Sequence, residues 1–146
     1  MDAKDHLLLD ALKEDASLSV AKLALKTNLP ATTVYNRIKK LKAHGIIKNY
    51  TINIDKNKVY GNIIGFILIK AKSEDLDQRQ IVKELMDQDV VENAAIITGE
   101  KDIFVRIRVK SIEELNSFIL DKLRKIRGIQ DSTTLISLEY FEKWYA

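Results

Sequence analysis

The chain has 146 residues, 46% hydrophobic and 31% charged, which is the balance of a soluble globular protein of one domain or two small ones. No apolar run approaches the roughly 20 residues needed to cross a bilayer, no secretory segment follows Met1, and zero cysteines exclude disulfide frameworks and thiolate metal sites, so a cytoplasmic location is expected. The net charge of +3 sits wholly in residues 1–55, with nine Lys/Arg against six Asp/Glu, while residues 56–146 hold fifteen of each.

Asp2 is placed to cap a first helix whose opening turn also holds Asp5, favourable at the positive end of the helix dipole. Leu8, Leu9 and Leu12 recur there at helical spacing, widened by Leu7 and Ala11. Ser19 caps a short second helix that buries Val20, Leu23 and Ala24. Asn28, tolerant of left-handed backbone, suits the turn that follows, and Pro30 pre-sets the start of a third helix. Gly45 stops that helix, so residues 19–50 have the spacing of a helix-turn-helix.

In the third helix Val34, Ile38 and Leu41 follow an i, i+4, i+7 pattern and are expected to face the core. The opposite face carries Thr32, Asn36, Lys39 and Lys40, with Thr33 and Arg37 on its shoulder. Between Ala16 and Ile54 there is no carboxylate, whereas Lys22, Lys26, Arg37, Lys39, Lys40, Lys42 and Lys48 supply seven positive charges. A run of that length without Asp or Glu points to a polyanionic partner, double-stranded DNA first. Thr32, Thr33 and Asn36 are candidates to read bases, and Lys39, Lys40 and Lys48 to hold phosphates, with Tyr35 and Arg37 in the same DNA-binding set. The plainer alternative is a solvated helix with excess lysine.

Residues 51–61 read as a β-rich connector ending in Gly61. It separates a helix-turn-helix domain over 1–50 from a second domain over 62–146. There a β-branched run at 62–72 predicts a strand, 75–89 a helix, 91–98 and 102–110 two strands joined at Gly99, 111–127 a helix capped by Ser111, and 129–139 a last strand. The order β-α-β-β-α-β is that of the ferredoxin-like sandwich, which makes the whole chain an α+β protein. The first strand is apolar on both sides, so its second face calls for a cover, most simply a second copy of the chain, although Arg106 and Arg108 put charge there. Tyr140, Phe141, Trp144 and Tyr145 form an aromatic tail expected to pack in the core or against a neighbouring subunit, the core being favoured.

Taken together these features resemble the Lrp/AsnC, or feast/famine, transcription regulators of bacteria and archaea. Asp2 and Asp5 match the family's Asp-x-x-Asp helix start. Arg37, Ile38, Leu41, Gly45, Ile46 and Ile47, followed by Tyr50, match the end of its recognition helix. The resemblance spans nearly the whole chain. It implies a RAM-type second domain, a homodimer held by sheet faces and often assembled into octamers, and amino-acid effectors bound between dimers. It also implies an effector pocket at Gly99 and Asp102, with Thr134 and the adjacent Thr133 in the last strand. Asp102 would pair with an ammonium and the threonines with a carboxylate. The sequence departs from the family at Pro30, usually a helix-capping Ser, and at Lys101 and Ile103 in the turn region. A plain hairpin turn also accounts for Gly99 and Asp102.

The reading this supports is a sequence-specific DNA-binding regulator, with transcription initiation factors as possible further partners. An architectural, nucleoid-associated DNA-binding protein without effector is the alternative. RNA binding on the sheet would need exposed stacking aromatics, and Phe66 and Phe104 read better as core or interface. With two His, no Cys and no Gly-rich phosphate loop, neither an enzyme nor a metal or cofactor site is expected.

Overall fold

The computed structural model describes residues 1–72 and 77–142, which fall mainly into two compact units, Met1–Asn53 and Ile54–Phe141. The first unit holds α1 (Ala3–Glu14), α2 (Val20–Thr27) and α3 (Ala31–Ala43). α1 opens with a reciprocal capping box: the Asp5 amide donates to Asp2 Oδ1 at 3.0 Å and the Asp2 amide to Asp5 Oδ2 at 2.9 Å. Ser19 caps α2 by accepting from the Lys22 amide at 3.3 Å. Asn28 closes α2 in the left-handed region, at φ 53° and ψ 40°, and Leu29 N–H donates back to the Ala24 carbonyl at 3.1 Å. α3 starts directly after Pro30 with no side-chain cap, and the turn at Gly45 (φ +68°) lets the amides of Ile46 and Ile47 both reach the Leu41 carbonyl.

These three helices close over Leu8, Ala11, Leu12, Leu23 and Val34, with Leu18, Val20, Ala24, Leu29, Ile38 and Ile47 packed around them. Full burial of each large aliphatic contributes about 1.5–3 kcal/mol. Thr27, also buried, satisfies its hydroxyl on the Leu23 carbonyl at 2.6 Å.

In the second unit the predicted β-rich connector takes another form. Asp55 accepts from the amides of Asn57 and Lys58 and starts a short helix, α4 (Lys56–Tyr60), that ends at Gly61. β1 (Ile63–Ala71), α5 (Gln78–Met86), β2 (Val91–Ile96), β3 (Ile103–Val109), α6 (Ile112–Ser117) and β4 (Ile129–Ile136) follow. The long helix expected over 111–127 is α-helical only to Ser117, then widens into a π turn over Phe118–Lys122 and tightens into a 3-10 turn over Leu123–Lys125. β4 stops at Ile136, short of the expected 139.

The strands form one antiparallel sheet in the order β2-β3-β1-β4, the ferredoxin-like arrangement. Ile67, Ile69 and Ala71 of β1 and Ile103, Val105, Ile107 and Val109 of β3 face the helices, meeting Ile81 and Leu85 of α5, Leu115 of α6, and Phe118 and Leu123. The alternate residues, Ile64, Phe66 and Leu68 on β1 and Phe104, Arg106 and Arg108 on β3, face the other way.

That second face has its own structure. The Phe66 and Phe104 rings stack with centroids 5.7 Å apart, so both lie on the open face rather than in the core. Tyr140 leans on Phe66 at 6.2 Å, and Arg106 both lies over the Tyr140 ring and donates to its hydroxyl. The expected packing of the tail into the core is therefore replaced by packing of Tyr140 on the open sheet face, while Phe141 is 84% exposed. Trp144 and Tyr145 lie outside the described residues. The charges that stood against an apolar face are absorbed by Glu92. A register shift in β2 adds Glu92 between Val91 and Asn93, and its carboxylate meets Arg108 Nε at 2.6 Å and Arg106 Nε at 2.9 Å. Arg108, 5% exposed, further donates to Asn57 Oδ1 at 2.6 Å and to the Gly61 carbonyl at 3.0 Å, which ties α4 to the sheet.

Candidate nucleic-acid interface

α3 presents one continuous exposed face. Val34 and Leu41 are buried and Ile38 half-buried on its inner side, which turns Thr32, Asn36, Lys39 and Lys40 to solvent with Tyr35 beside them. Thr33 is half-buried on the shoulder. Pro30 fixes the first turn, so the short polar side chains stand at the helix N-terminus and the cations follow toward the C-terminus.

The seven cations of the carboxylate-free stretch do not share one fate. Lys26 pairs with Glu14, and Lys42 lies 4.6 Å from the centre of the Tyr50 ring. Arg37 turns to the start of α1, where its Nη1 meets both oxygens of Asp2 at 2.8 Å and Asp5 Oδ1 at 2.7 Å. Lys39, Lys40 and Lys48 are exposed and carry no hydrogen bond or ion pair among the described residues. With Lys22, which is exposed on α2, they are the cations of that stretch available to a phosphate backbone. Arg37, expected in the DNA-binding set, is already engaged by two carboxylates. Those carboxyls lie below the ordinary aspartate range, each chiefly because the other residue's backbone N–H donates to it and next because of Arg37. The Arg37 guanidinium is shifted up, by Asp5 first and Asp2 second. Sequence reasoning read Asp2 and Asp5 as a helix start only; nothing local signals a partner more than thirty residues away.

The four residues of the implied effector pocket are not assembled in the same way. Gly99 lies in the β2–β3 turn at φ +123°, with open space where a Cβ would be. Asp102 is held by the sheet: Oδ2 accepts the Ala71 amide at 2.8 Å, and Lys70 Nζ stands 3.4 Å away. Its carboxyl is pushed down by that amide first and by Lys70 after it. Thr133 pairs with Leu68 and Thr134 with Ile67, so the two threonines point to opposite faces of β4 and only one can join any one pocket. None of these residues lines the cleft of about 410 Å³ beside α4, which is bounded by Lys56, Tyr60, Glu92, Arg108, Lys110 and Glu114.

Two family profiles match the chain: the AsnC-type helix-turn-helix domain over residues 1–42 and the Lrp/AsnC ligand binding domain over residues 64–143. The chain belongs to the Lrp/AsnC family of transcriptional regulators. An uncharacterized HTH-type transcriptional regulator of Pyrococcus abyssi is 36% identical over 95% of this chain and 93% of its own length. Among solved structures, AsnC of E. coli superposes with a TM-score of 0.89 at 28% identity, covering 100% of this chain and 99% of that one. A Neisseria meningitidis regulator solved with L-Met has the same TM-score of 0.89 at 21% identity over 98% of this chain and 93% of its own, a likeness of fold. Among the described residues no helix is long and apolar enough to cross a membrane.

Proposed function

We propose that this Lrp/AsnC protein is a sequence-specific regulator that grips double-stranded DNA as a dimer. Thr32, Thr33 and Asn36 meet base edges with Tyr35 beside them, and Lys39, Lys40 and Lys48 meet phosphates. The observation that carries the proposal is the exposed face of α3, where short polar side chains lead and unpaired lysines follow, while Lys26, Arg37 and Lys42 turn to partners of their own. Support for the dimer is the open sheet face, where Phe66 and Leu68 are only half-buried and Leu135 is 50% exposed. Two copies would set two recognition helices against half-sites about one or two helical turns apart. Footprinting on the promoter DNA of the source organism tests this. Discrete protected half-sites in inverted repeat are expected, and coating that scales only with DNA length would overturn it.

A second reading, a DNA-coating protein without effector, draws support from Asp102, whose carboxylate already serves the Ala71 amide and Lys70. Calorimetric titration with a panel of amino acids separates the two. Saturable heat that disappears in Asp102→Ala supports an effector at the Gly99–Asp102 turn; no heat with any compound favours the coating protein.

A further inference from the structure

We propose that Asp2 and Asp5 withhold Arg37 from DNA and use it to orient the recognition helix. Arg37 is then a positioning residue, and the two aspartates set how much charge the interface shows to nucleic acid. The inference rests on the DNA-binding reading above.

Four observations carry it. Arg37 comes from α3, the helix with the exposed polar-then-cationic face, and its side chain is 25% exposed, whereas Lys39 and Lys40 beside it are exposed. Its Nη1 makes three contacts of 2.7–2.8 Å to carboxylate oxygens, the short distances of charge-assisted bonds. The same two carboxylates cap α1, so each aspartate serves the backbone of one helix and the guanidinium of another. One guanidinium shared between two carboxylates has no unopposed positive charge left for a phosphate. A phosphate gains little there, while Lys39, Lys40 and Lys48 draw it along the rest of the face.

A surface ion pair contributes little stability by itself. What this arrangement does contribute is a fixed seat for α3 against α1 and a lower general affinity for polyanions. A regulator gains selectivity from both, because random DNA is bound by charge and an operator by orientation.

The test is the salt dependence of affinity for operator and for random duplex, measured on the full-length protein. Each phosphate contact contributes about 0.9 to the slope of log K against log salt. Arg37→Gln is expected to leave that slope unchanged while operator affinity falls about fivefold or more. Asp2→Asn/Asp5→Asn, in which asparagine keeps the helix cap, is expected to steepen the slope by about one and to tighten random-DNA binding several-fold. Adding Arg37→Gln to that pair should return the slope to the wild-type value. A slope that drops by about one in Arg37→Gln alone, with no change in the Asn pair, makes Arg37 a phosphate contact and overturns the proposal. Should Arg37→Gln fail to fold by circular dichroism, the Asn pair decides: an unchanged slope overturns the proposal. Failure of the wild-type protein to prefer an operator over random DNA refutes instead the regulator reading beneath it.

Discussion

A Cβ on Gly61 would lie 2.3 Å from the carbonyl oxygen of Val109, closer than any side chain can come to a backbone oxygen. Gly61 also has φ +114°, and its own carbonyl accepts from Arg108. Gly61→Ala therefore forces the end of α4 away from β3 and should destabilise the second unit by about 3 kcal/mol, from clash and left-handed strain together. Gly99→Ala is the control, since open space surrounds it; only backbone strain of about 1 kcal/mol is expected there. Chemical denaturation of the two variants side by side checks the difference.

Glu92 is the shared partner of Arg106 and Arg108 beneath the open sheet face. Glu92→Ala leaves the nearly buried Arg108 guanidinium without its carboxylate, at a cost of about 3 kcal/mol. Loss of the seat for Arg106 should also loosen Tyr140, seen as a rise in tyrosine exposure in the near-ultraviolet spectrum.

Lys39 and Lys40 divide from Asn36 by chemistry. Lys39→Ala and Lys40→Ala should each flatten the salt dependence of DNA affinity by about 0.9, equally on operator and random sequence. A slope unaffected by both changes would remove them from the phosphate set.

If Asn36 reads a base edge as proposed, Asn36→Ala should weaken operator binding by about 1–3 kcal/mol and leave random-DNA affinity nearly untouched. Equal losses on both duplexes in a gel-shift titration would exclude base reading at this position.

Acid should weaken the first unit modestly. The Asp2 and Asp5 carboxyls are depressed in the folded state, by each other's backbone N–H and by Arg37. A depressed carboxyl contributes stability above its unfolded pKa of roughly 3.9, and that contribution is lost as pH falls through the folded value. The melting temperature should hold steady from neutrality toward pH 5 and fall below about 4. The Asn pair should blunt that fall, leaving the part due to Asp15, whose carboxyl Ser17 holds down.

Local signals made most of this fold legible. Ser19, Asn28 and Gly45 act on their own neighbours within a few residues, and the structure uses each as the sequence suggests. The strands were readable because β-branched, apolar runs such as those holding Ile67, Ile69, Ile103 and Val105 favour extended backbone. The connector was misread although its signal was present: Asp55 as a cap and Gly61 as a stop frame a helix of five residues. The fates of Arg37 and Asp102 were not readable, since their partners are set by tertiary approach across more than thirty positions. Thr133 and Thr134 were grouped because they adjoin in sequence, and in a strand adjacency means opposite faces.

Thr32, Asn36, Lys39 and Lys40 are absent from the apolar cluster that closes α1, α2 and α3. Their replacement leaves the packing of Val34 and Leu41 intact, so the outer half of α3 is an interchangeable cassette on a fixed frame. Grafting the corresponding residues of another member should redirect the protein to that member's target with little change in thermal stability.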